Sequence, residues 1–258
     1  MEVINLLFAC LAALAAGFIN SIAGGGTLVT FPVLTAIGIS PVAANVTNSV
    51  ALTPGLLSGV YAQKDEFQTQ KKTLWKILPF SILGGILGAI LLLNTSERSF
   101  EILIPYLILL ATALLAFQTP IKKMIIARAA KTKTQHSSMA ILAVFVFIAS
   151  VYGGYFGAGL GVILMAILGL LLKDSLTKLN VLKQAISFSV NLIAAIYFCF
   201  SGKVEWMVAL VMIIGSITGG TIGGKLASKI KPNTLKWIVV SIGFVVSVIY
   251  FAKAYHLA

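Results

Sequence analysis

Hydrophobic residues fill most of this chain in long runs that short polar segments separate. A helix needs about 20 apolar residues to cross a bilayer, and most of the runs reach or approach that length. The pattern predicts an all-α polytopic membrane protein. The runs lie at about 3–22, 27–39, 41–62, 77–93, 102–118, 139–156, 162–172, 180–201, 207–224 and 235–252.

Two of these runs, 27–39 and 162–172, are too short for ordinary spans, and each follows a glycine-rich break. The breaks read Gly24-Gly25-Gly26 and Gly157-Ala158-Gly159-Leu160-Gly161. Glycine costs about 1 kcal/mol per residue in a helix interior relative to alanine. Irregular backbone inside a membrane is tolerated only where it is buried in protein or lines a cavity. We therefore expect each short run to be the return arm of a hairpin that the preceding helix starts.

The two breaks belong to an internal duplication with one ungapped offset of 135 residues. The offset pairs Gly24 with Gly159 and Gly26 with Gly161. A single offset that holds across most of the chain indicates a repeated unit of about half its length. The same offset pairs Asn45 with Asn180, Ser81 with Ser216, Gly84-Gly85 with Gly219-Gly220, and Gly88 with Gly223.

The repeat is predicted to be inverted, because a hairpin followed by three spans makes an odd number of crossings. The basic residues favour this topology over a parallel repeat. With the linker 119–138 in the cytoplasm, the inverted topology places 15 of the 19 lysines and arginines inside, as the positive-inside rule requires. The predicted outer loops, 94–101 and 202–206, hold only Arg98 and Lys203.

This topology divides the chain into a first membrane repeat, 1–118, a basic cytoplasmic linker, 119–138, and an inverted second repeat, 139–258. Both termini are then outside. The run 3–22 lacks the basic flank of a cleaved signal peptide, so we expect it to be retained as the first helix; processing near Ala13–Ala16 is the alternative.

A polar stripe follows each break at matching repeat positions. In each half the polar residues recur at spacings that place them on one face of a helix. Single Ser or Thr residues in such stripes are more often hydrogen-bonding contacts between helices. The first stripe is Asn45, Asn48, Ser49 and Thr53, and the second is Asn180, Lys183, Gln184, Ser187 and Asn191.

Lys183 is the residue that most favours a binding site. It lies near the predicted start of its helix, so its ammonium group has the alternative of extending to the membrane surface. It nevertheless shares a face with Asn180 and Gln184, and an ionisable residue within a span is a functional candidate by default.

The glycine breaks add a second source of positive polarity. A helix that begins after Gly26 or Gly161 presents backbone N–H groups and the positive end of its dipole, which suits an anion. The glycines around Gly84 and Gly219 have the small-xxx-small spacing of close helix packing instead. The candidate substrate-binding residues are Gly24, Gly25, Gly26, Thr27, Asn45, Asn48, Ser49, Gly159, Gly161, Asn180, Lys183 and Gln184.

Charged residues restrict the function classes. All seven acids and both histidines fall at termini or loops, which disfavours cation carriers, acid-based proton relays, metalloenzymes and intramembrane bases. We expect no enzyme activity, catalytic residue, metal or cofactor. The formal charge of +12 is explained by cytoplasmic lysines rather than by nucleic-acid binding.

One further set of residues matches the motifs of a known family: Gly17-Phe18-Ile19-Asn20, Gly24 to Thr27, Pro32, Gly38, Pro41, Ala44, Asn45, Thr47, Asn48, Ser49, the second break and Gly219-Gly220-x-x-Gly223. In these residues the chain resembles the sulfite exporter TauE/SafE family of membrane transporters, over essentially its full length. The second break differs from a triple glycine. The resemblance implies export or exchange of small sulfur-containing anions, such as sulfite, sulfoacetate and related sulfonates, across a bacterial inner membrane.

The expected function is a secondary anion transporter that works by alternating access around a site between the two hairpin tips. Its partners are a small sulfur-containing anion and the lipid bilayer. An anion channel and an uptake permease for another oxyanion or a carboxylate are the alternatives. The sequence leaves open the anion, the direction, the coupling ion, and whether the chain forms a homodimer.

Overall fold

The computed structural model describes residues 2–22, 24–61, 64–131, 139–172, 174–226 and 232–256, and every regular element in them is a helix. This confirms the predicted all-α class. The helices are α1 (Val3–Ile22), α2 (Thr27–Ala36), α3 (Pro41–Tyr61), α4 (Lys64–Asn94), α5 (Glu97–Lys131), α6 (Met139–Tyr155), α7 (Leu160–Leu171), α8 (Leu176–Cys199), α9 (Trp206–Leu226) and α10 (Pro232–His256).

Helices α2 and α7 are short, as the glycine breaks predict. They contain 10 and 12 residues, which gives lengths of about 15 and 18 Å at 1.5 Å per residue. The hydrocarbon core of a bilayer is about 30 Å thick, so neither helix crosses it alone. Within the described residues, six other helices are long and apolar enough to do so. The fold is that of a multi-pass membrane protein.

Two helices extend well beyond their apolar runs. Helix α4 begins at Lys64 and α5 continues to Lys131, so the residues 64–76 and 119–131, expected to flank the membrane, are helical. Their sequences contain no glycine and include many residues of good helix propensity, such as Lys, Gln and Ala, so the helices continue past the apolar runs, and α5 does so through Pro120. Residues 132–138 of the predicted linker lie outside the described residues.

The helix contacts follow the duplication. The offset of 135 residues relates α1–α5 to α6–α10 in order. Helix α1 packs along α9 and α6 packs along α4; α3 contacts α9 and α8 contacts α4; α2 contacts α10 and α7 contacts α5. Each of these contacts therefore has a repeat-related counterpart. The pairs α3–α8 and α5–α10, which also pack together, join equivalent helices of the two halves.

Equivalent helices α5 and α10 run in opposite directions. The Ser247 hydroxyl donates to the Pro105 carbonyl at 3.1 Å, and the Lys236 ammonium donates to the Thr119 hydroxyl at 2.9 Å. Residue numbers rise along α5 where they fall along α10, so the pair is antiparallel.

Glycines allow the closest helix contacts, which confirms their predicted packing role. A Cβ on Gly219 of α9 would lie 1.9 Å from the Leu14 carbonyl oxygen of α1. A Cβ on Gly88 of α4 would lie 2.1 Å from the Val151 carbonyl oxygen of α6. Contacts this short are possible only without a side chain, and they fix α1 on α9 and α6 on α4.

Candidate substrate cavity

A cavity of about 560 Å³ lies between the two halves, and both glycine breaks line it. Its wall is built from the end of α1, the starts of α2 and α7, and stretches of α3, α5 and α8. Eight of the twelve candidate residues line it: Gly24, Gly25, Thr27, Gly159, Gly161, Asn180, Lys183 and Gln184. The duplication thus brings distant parts of the sequence to one place.

The first break turns sharply and is capped by a side chain. Gly24 and Gly25 have φ values of 83° and 91°, a conformation that glycine adopts without strain. The Gly26 N–H donates to the Asn20 side-chain oxygen at 2.8 Å. A Cβ on Gly26 would lie 2.6 Å from the Ala16 carbonyl oxygen. Gly26 therefore allows close packing against α1, and its N–H already donates to Asn20.

The second break keeps an amide available. Gly157 and Gly159 have φ values of 78° and 79°, so the backbone again turns through glycine. Within the described part of the chain, the N–H of Gly161 donates no hydrogen bond. The Lys183 side chain is beside it, because its Cδ would lie 3.7 Å from a Cβ on Gly161. A backbone donor and the Lys183 side chain thus lie close together at the start of α7.

The whole α8 stripe faces the cavity. Asn180, Lys183, Gln184, Ser187 and Asn191 all line it, which brings together the second set of predicted polar residues. The Asn191 side-chain N–H donates to the Ser187 carbonyl at 2.8 Å. Ser187 and Asn191 continue the polar wall along α8, beyond the candidates Asn180, Lys183 and Gln184.

The charges on the cavity wall are positive. Lys122 of α5 lines the same cavity as Lys183 and is close enough for the two ammonium groups to repel each other. No aspartate or glutamate is among the described residues of the wall. Two uncompensated positive charges in a space partly removed from water favour an anion as occupant.

The α3 stripe lies outside the cavity, unlike its α8 counterpart. The Asn45 side-chain N–H donates to the Tyr155 carbonyl at 2.8 Å, and the Ser49 hydroxyl donates to the Asn45 carbonyl at 2.9 Å. The side-chain oxygen of Asn48 accepts from the Thr30 hydroxyl at 2.5 Å. Asn45, Asn48, Ser49 and the capped Gly26 therefore do not line the wall in this conformation.

Asn48 still reaches the cavity indirectly. Its side-chain N–H is 3.5 Å from the Thr27 hydroxyl, and Thr27 lines the wall at the start of α2. Further along α3, Leu52 and Leu56 line the wall as well. Their repeat equivalents are Ser187 and Asn191, so the inner end of the cavity contains equivalent positions from both halves.

Several polar wall residues were missed by the sequence analysis: Asn20, Ser21, Gln118, Lys122 and Thr177. Gln118 and Lys122 are four residues apart at the end of an apolar run, which places them on one helix face. Asn20 is a polar residue just before the first glycine break. Both signals were present in the sequence, but assigning 119–138 to the linker hid Lys122.

Replacing Asn20 by alanine should destabilise the first hairpin. The variant loses the hydrogen bond that satisfies the Gly26 N–H, and the loss of such a cap typically costs about 1 kcal/mol. We expect a lower unfolding temperature in detergent, measured by intrinsic fluorescence. Ser21→Ala is the matched control, because among the described residues the Ser21 hydroxyl donates only to the Phe18 carbonyl of its own helix. Equal stability of the two variants would contradict the capping role.

Comparison with known protein families identifies the family of this chain. The chain matches the model of the Sulfite exporter TauE/SafE family over residues 9–250. The chain belongs to this family. The resemblance noted in the sequence is therefore confirmed, and TauE/SafE membership makes the protein a membrane transporter by family.

Curated relatives carry matching names. The chain is 30% identical over 233 residues to the "Probable membrane transporter protein" of Haemophilus influenzae, covering 90% of this chain and 89% of the relative. It is 28% identical to "Probable membrane transporter protein ORF9" of a Sinorhizobium species, covering 97% and 94%. It is 25% identical to "Probable membrane transporter protein YfcA" of Escherichia coli K12, covering 91% and 85%. No solved structure matches the chain.

Proposed function

We propose that this TauE/SafE family member is a secondary transporter that exports or exchanges small sulfur-containing anions by alternating access around the cavity. Sulfite, sulfoacetate and related sulfonates are the proposed substrates, and a bacterial inner membrane is the proposed location. The observation that carries the proposal is the pairing of Lys183 with the free Gly161 amide on a wall without described acids.

The proposed anion site is at the start of α7. Lys183 supplies the charge, and the N–H of Gly161 supplies a fixed donor at the positive end of the helix dipole. Asn180, Gln184 and Thr27 line the same wall and supply hydrogen bonds that orient the substrate. A sulfite or sulfonate group has three oxygens, so it can accept bonds from several of these donors at once.

The cavity has a suitable size for a small organic anion. Its volume of about 560 Å³ falls within the range of about 300–1,000 Å³ that is common for ligand pockets. Leu52, Leu56 and Leu115 form an apolar part of the wall. This part suits the carbon chain of an organosulfonate, while the lysines and the glycine amide suit its head group.

We also propose that the repeat is inverted. The antiparallel packing of α5 on its equivalent α10 and the repeat-related helix contacts support it, as does the distribution of lysines. With the basic linker in the cytoplasm, both termini are outside. The cavity, with Lys122 near the linker end of α5, then faces the cytoplasm.

Counterflow in proteoliposomes tests the proposal. Vesicles loaded with unlabelled sulfoacetate should accumulate labelled sulfoacetate from outside, with a rate that saturates. Flux that follows the gradient without saturation or counterflow would indicate the rival anion channel. Counterflow with small carboxylates but not with sulfite or sulfonates would favour the rival permease for another oxyanion.

Thermal stability supplies an independent measurement of the substrate class. A ligand present at 100 times its Kd stabilises the folded protein by about 2.7 kcal/mol. We therefore expect sulfite or sulfoacetate to raise the unfolding temperature of the purified protein, and choline at the same ionic strength to leave it unchanged. Stabilisation by choline or no stabilisation by any sulfur anion would contradict the anion site.

A further inference from the structure

The two polar stripes occupy different environments although they are repeat equivalents. Asn180 lines the cavity, whereas its equivalent Asn45 is only 1% exposed. The side-chain oxygen of Asn45 is buried and has no hydrogen-bond partner among the described residues. A buried amide oxygen without a partner is costly, so the closed environment of Asn45 requires an explanation.

Aromatic rings close the space around the start of the α3 stripe. Phe31 contacts the rings of Phe156, Tyr250 and Phe100 at centroid distances of 5.7, 6.1 and 6.5 Å. Tyr155 joins them through Phe100 at 5.8 Å. We call these five residues the aromatic cluster. The cluster is bonded to the stripe itself, because the Asn45 side chain donates to the Tyr155 carbonyl.

The cluster is located at the end of the molecule away from Lys122. The Ser40 hydroxyl and the Val42 N–H, at the start of α3, donate to the Glu97 carboxylate at 3.0 and 3.1 Å. The Tyr155 hydroxyl is 3.3 Å from the Thr95 hydroxyl. Both contacts are to the segment 94–101 at the junction of α4 and α5, which the charge distribution assigns to the outer face.

Three of the five cluster residues have small or polar repeat equivalents. The offset of 135 residues pairs Phe156 with Ser21 and Tyr155 with Asn20, and both equivalents line the open cavity. It pairs Phe31 with Ala166. In these three pairs the equivalent residue has less bulk than the ring in the cluster, whereas the equivalents of Phe100 and Tyr250 are Leu235 and Leu115. The difference between the open and the closed side therefore corresponds to sequence differences between the two halves at these positions.

We propose that the aromatic cluster is the closed gate on the outer side of the pathway, and that Asn45 contacts the substrate when this gate opens. The proposal rests on the proposed transporter function. Opening would separate Phe31 of α2 from Phe156 at the second break, and would expose an amide equivalent to Asn180. Its unpartnered oxygen would then reach water, and its N–H could be released from Tyr155 to the anion.

Cysteine labelling at equivalent positions tests the gate. In a Cys10→Ala, Cys199→Ala background, which removes both native cysteines, Ser49→Cys and Gln184→Cys form a matched pair because the offset relates the two sites. A membrane-impermeant thiol reagent should label Gln184→Cys from the cavity side. It should leave Ser49→Cys largely unlabelled from either side.

Opening the gate should then expose Ser49→Cys. Adding Phe156→Ala should raise its labelling rate roughly tenfold, from the outer side only, because removing the ring shifts the population toward the open gate. Phe145→Ala is the matched control, since Phe145 is 49% exposed outside the cluster and should leave the rate unchanged. Phe156→Leu, which keeps apolar volume, serves if the alanine variant does not fold.

The outcomes separate the gate from the substrate. If Ser49→Cys stays protected in folded Phe156→Ala or Phe156→Leu protein, the gate hypothesis is wrong, whichever substrate the protein transports. Equal labelling of Ser49→Cys and Gln184→Cys without any gate mutation would overturn it as well. The expected labelling together with no counterflow of sulfite or sulfoacetate would refute only the proposed substrates.

Discussion

Lys183→Ala is expected to lower anion counterflow by roughly 10- to 100-fold, because a hydrogen bond to a charged group contributes about 1.5–3 kcal/mol. The ammonium group has no described acid beside it on the wall, so a bound anion is its proposed partner. The variant should still fold, because alanine is compatible with helix α8 and the substitution removes a positive charge that repels Lys122. Initial counterflow rates at several substrate concentrations measure the effect.

Lys178→Ala is the matched control for Lys183→Ala. Lys178 is on the same helix but is not part of the cavity wall, so its loss should leave the rate within about a factor of two, the range of ordinary surface substitutions. Unchanged counterflow in Lys183→Ala would contradict the charged site. It would show instead that the lysine extends to the membrane surface and serves no substrate.

Much of the fold follows from local signals. The glycine breaks predict short helices that begin after Gly26 and Gly161; α2 begins at Thr27 as predicted, and α7 begins at Leu160, two residues earlier than predicted. These signals are reliable because an interrupted helix in a membrane needs a cavity or a protein partner. The ends of α4 and α5 were less predictable. Beyond the membrane, hydrophobicity no longer marks the helix end, and residues with good helix propensity continue it.

Equivalent positions in the two halves do not predict which polar stripe lines the cavity. The offset makes Asn45 and Asn180 equal in sequence, yet one is buried and the other lines the cavity. The difference comes from residues far away in the chain, such as Phe156 and its equivalent Ser21. A periodic stripe identifies a helix face, but the partner of that face is decided by tertiary contacts.

The equivalent glycines of the two breaks show the same limit of prediction from repeat positions. Gly26 and Gly161 are equivalent and were both expected to offer backbone N–H groups to an anion. In the structure the amide of Gly26 is bonded to Asn20, whereas that of Gly161 donates no bond within the described residues. The equivalent of Asn20 is Tyr155, whose side chain cannot form the same cap. One substitution between the halves thus separates a glycine whose N–H is capped from one whose N–H donates no bond among the described residues.

Gly219→Ala should abolish or severely reduce folded protein, and its repeat equivalent Gly84→Ala should do the same. The new Cβ would lie 1.9 Å from the Leu14 carbonyl oxygen in the first case and 2.6 Å from the Phe147 carbonyl oxygen in the second. Both contacts are with backbone, so the paired helices must move apart. Overpacking of this kind costs about 1–3 kcal/mol or more. Yield of monodisperse protein and its unfolding temperature are the measurements.

Gly161→Ala is the matched control for these two variants. Its Cβ would meet nothing closer than the Lys183 side chain at 3.7 Å, an ordinary contact, and alanine favours a helix over glycine by about 1 kcal/mol. Folded yield should therefore be kept. Normal yield from Gly219→Ala with loss from Gly84→Ala would contradict equivalent packing of α1 on α9 and α6 on α4. Loss of folded protein from both Gly219→Ala and Gly84→Ala is the result that equivalent helix contacts in the two halves predict.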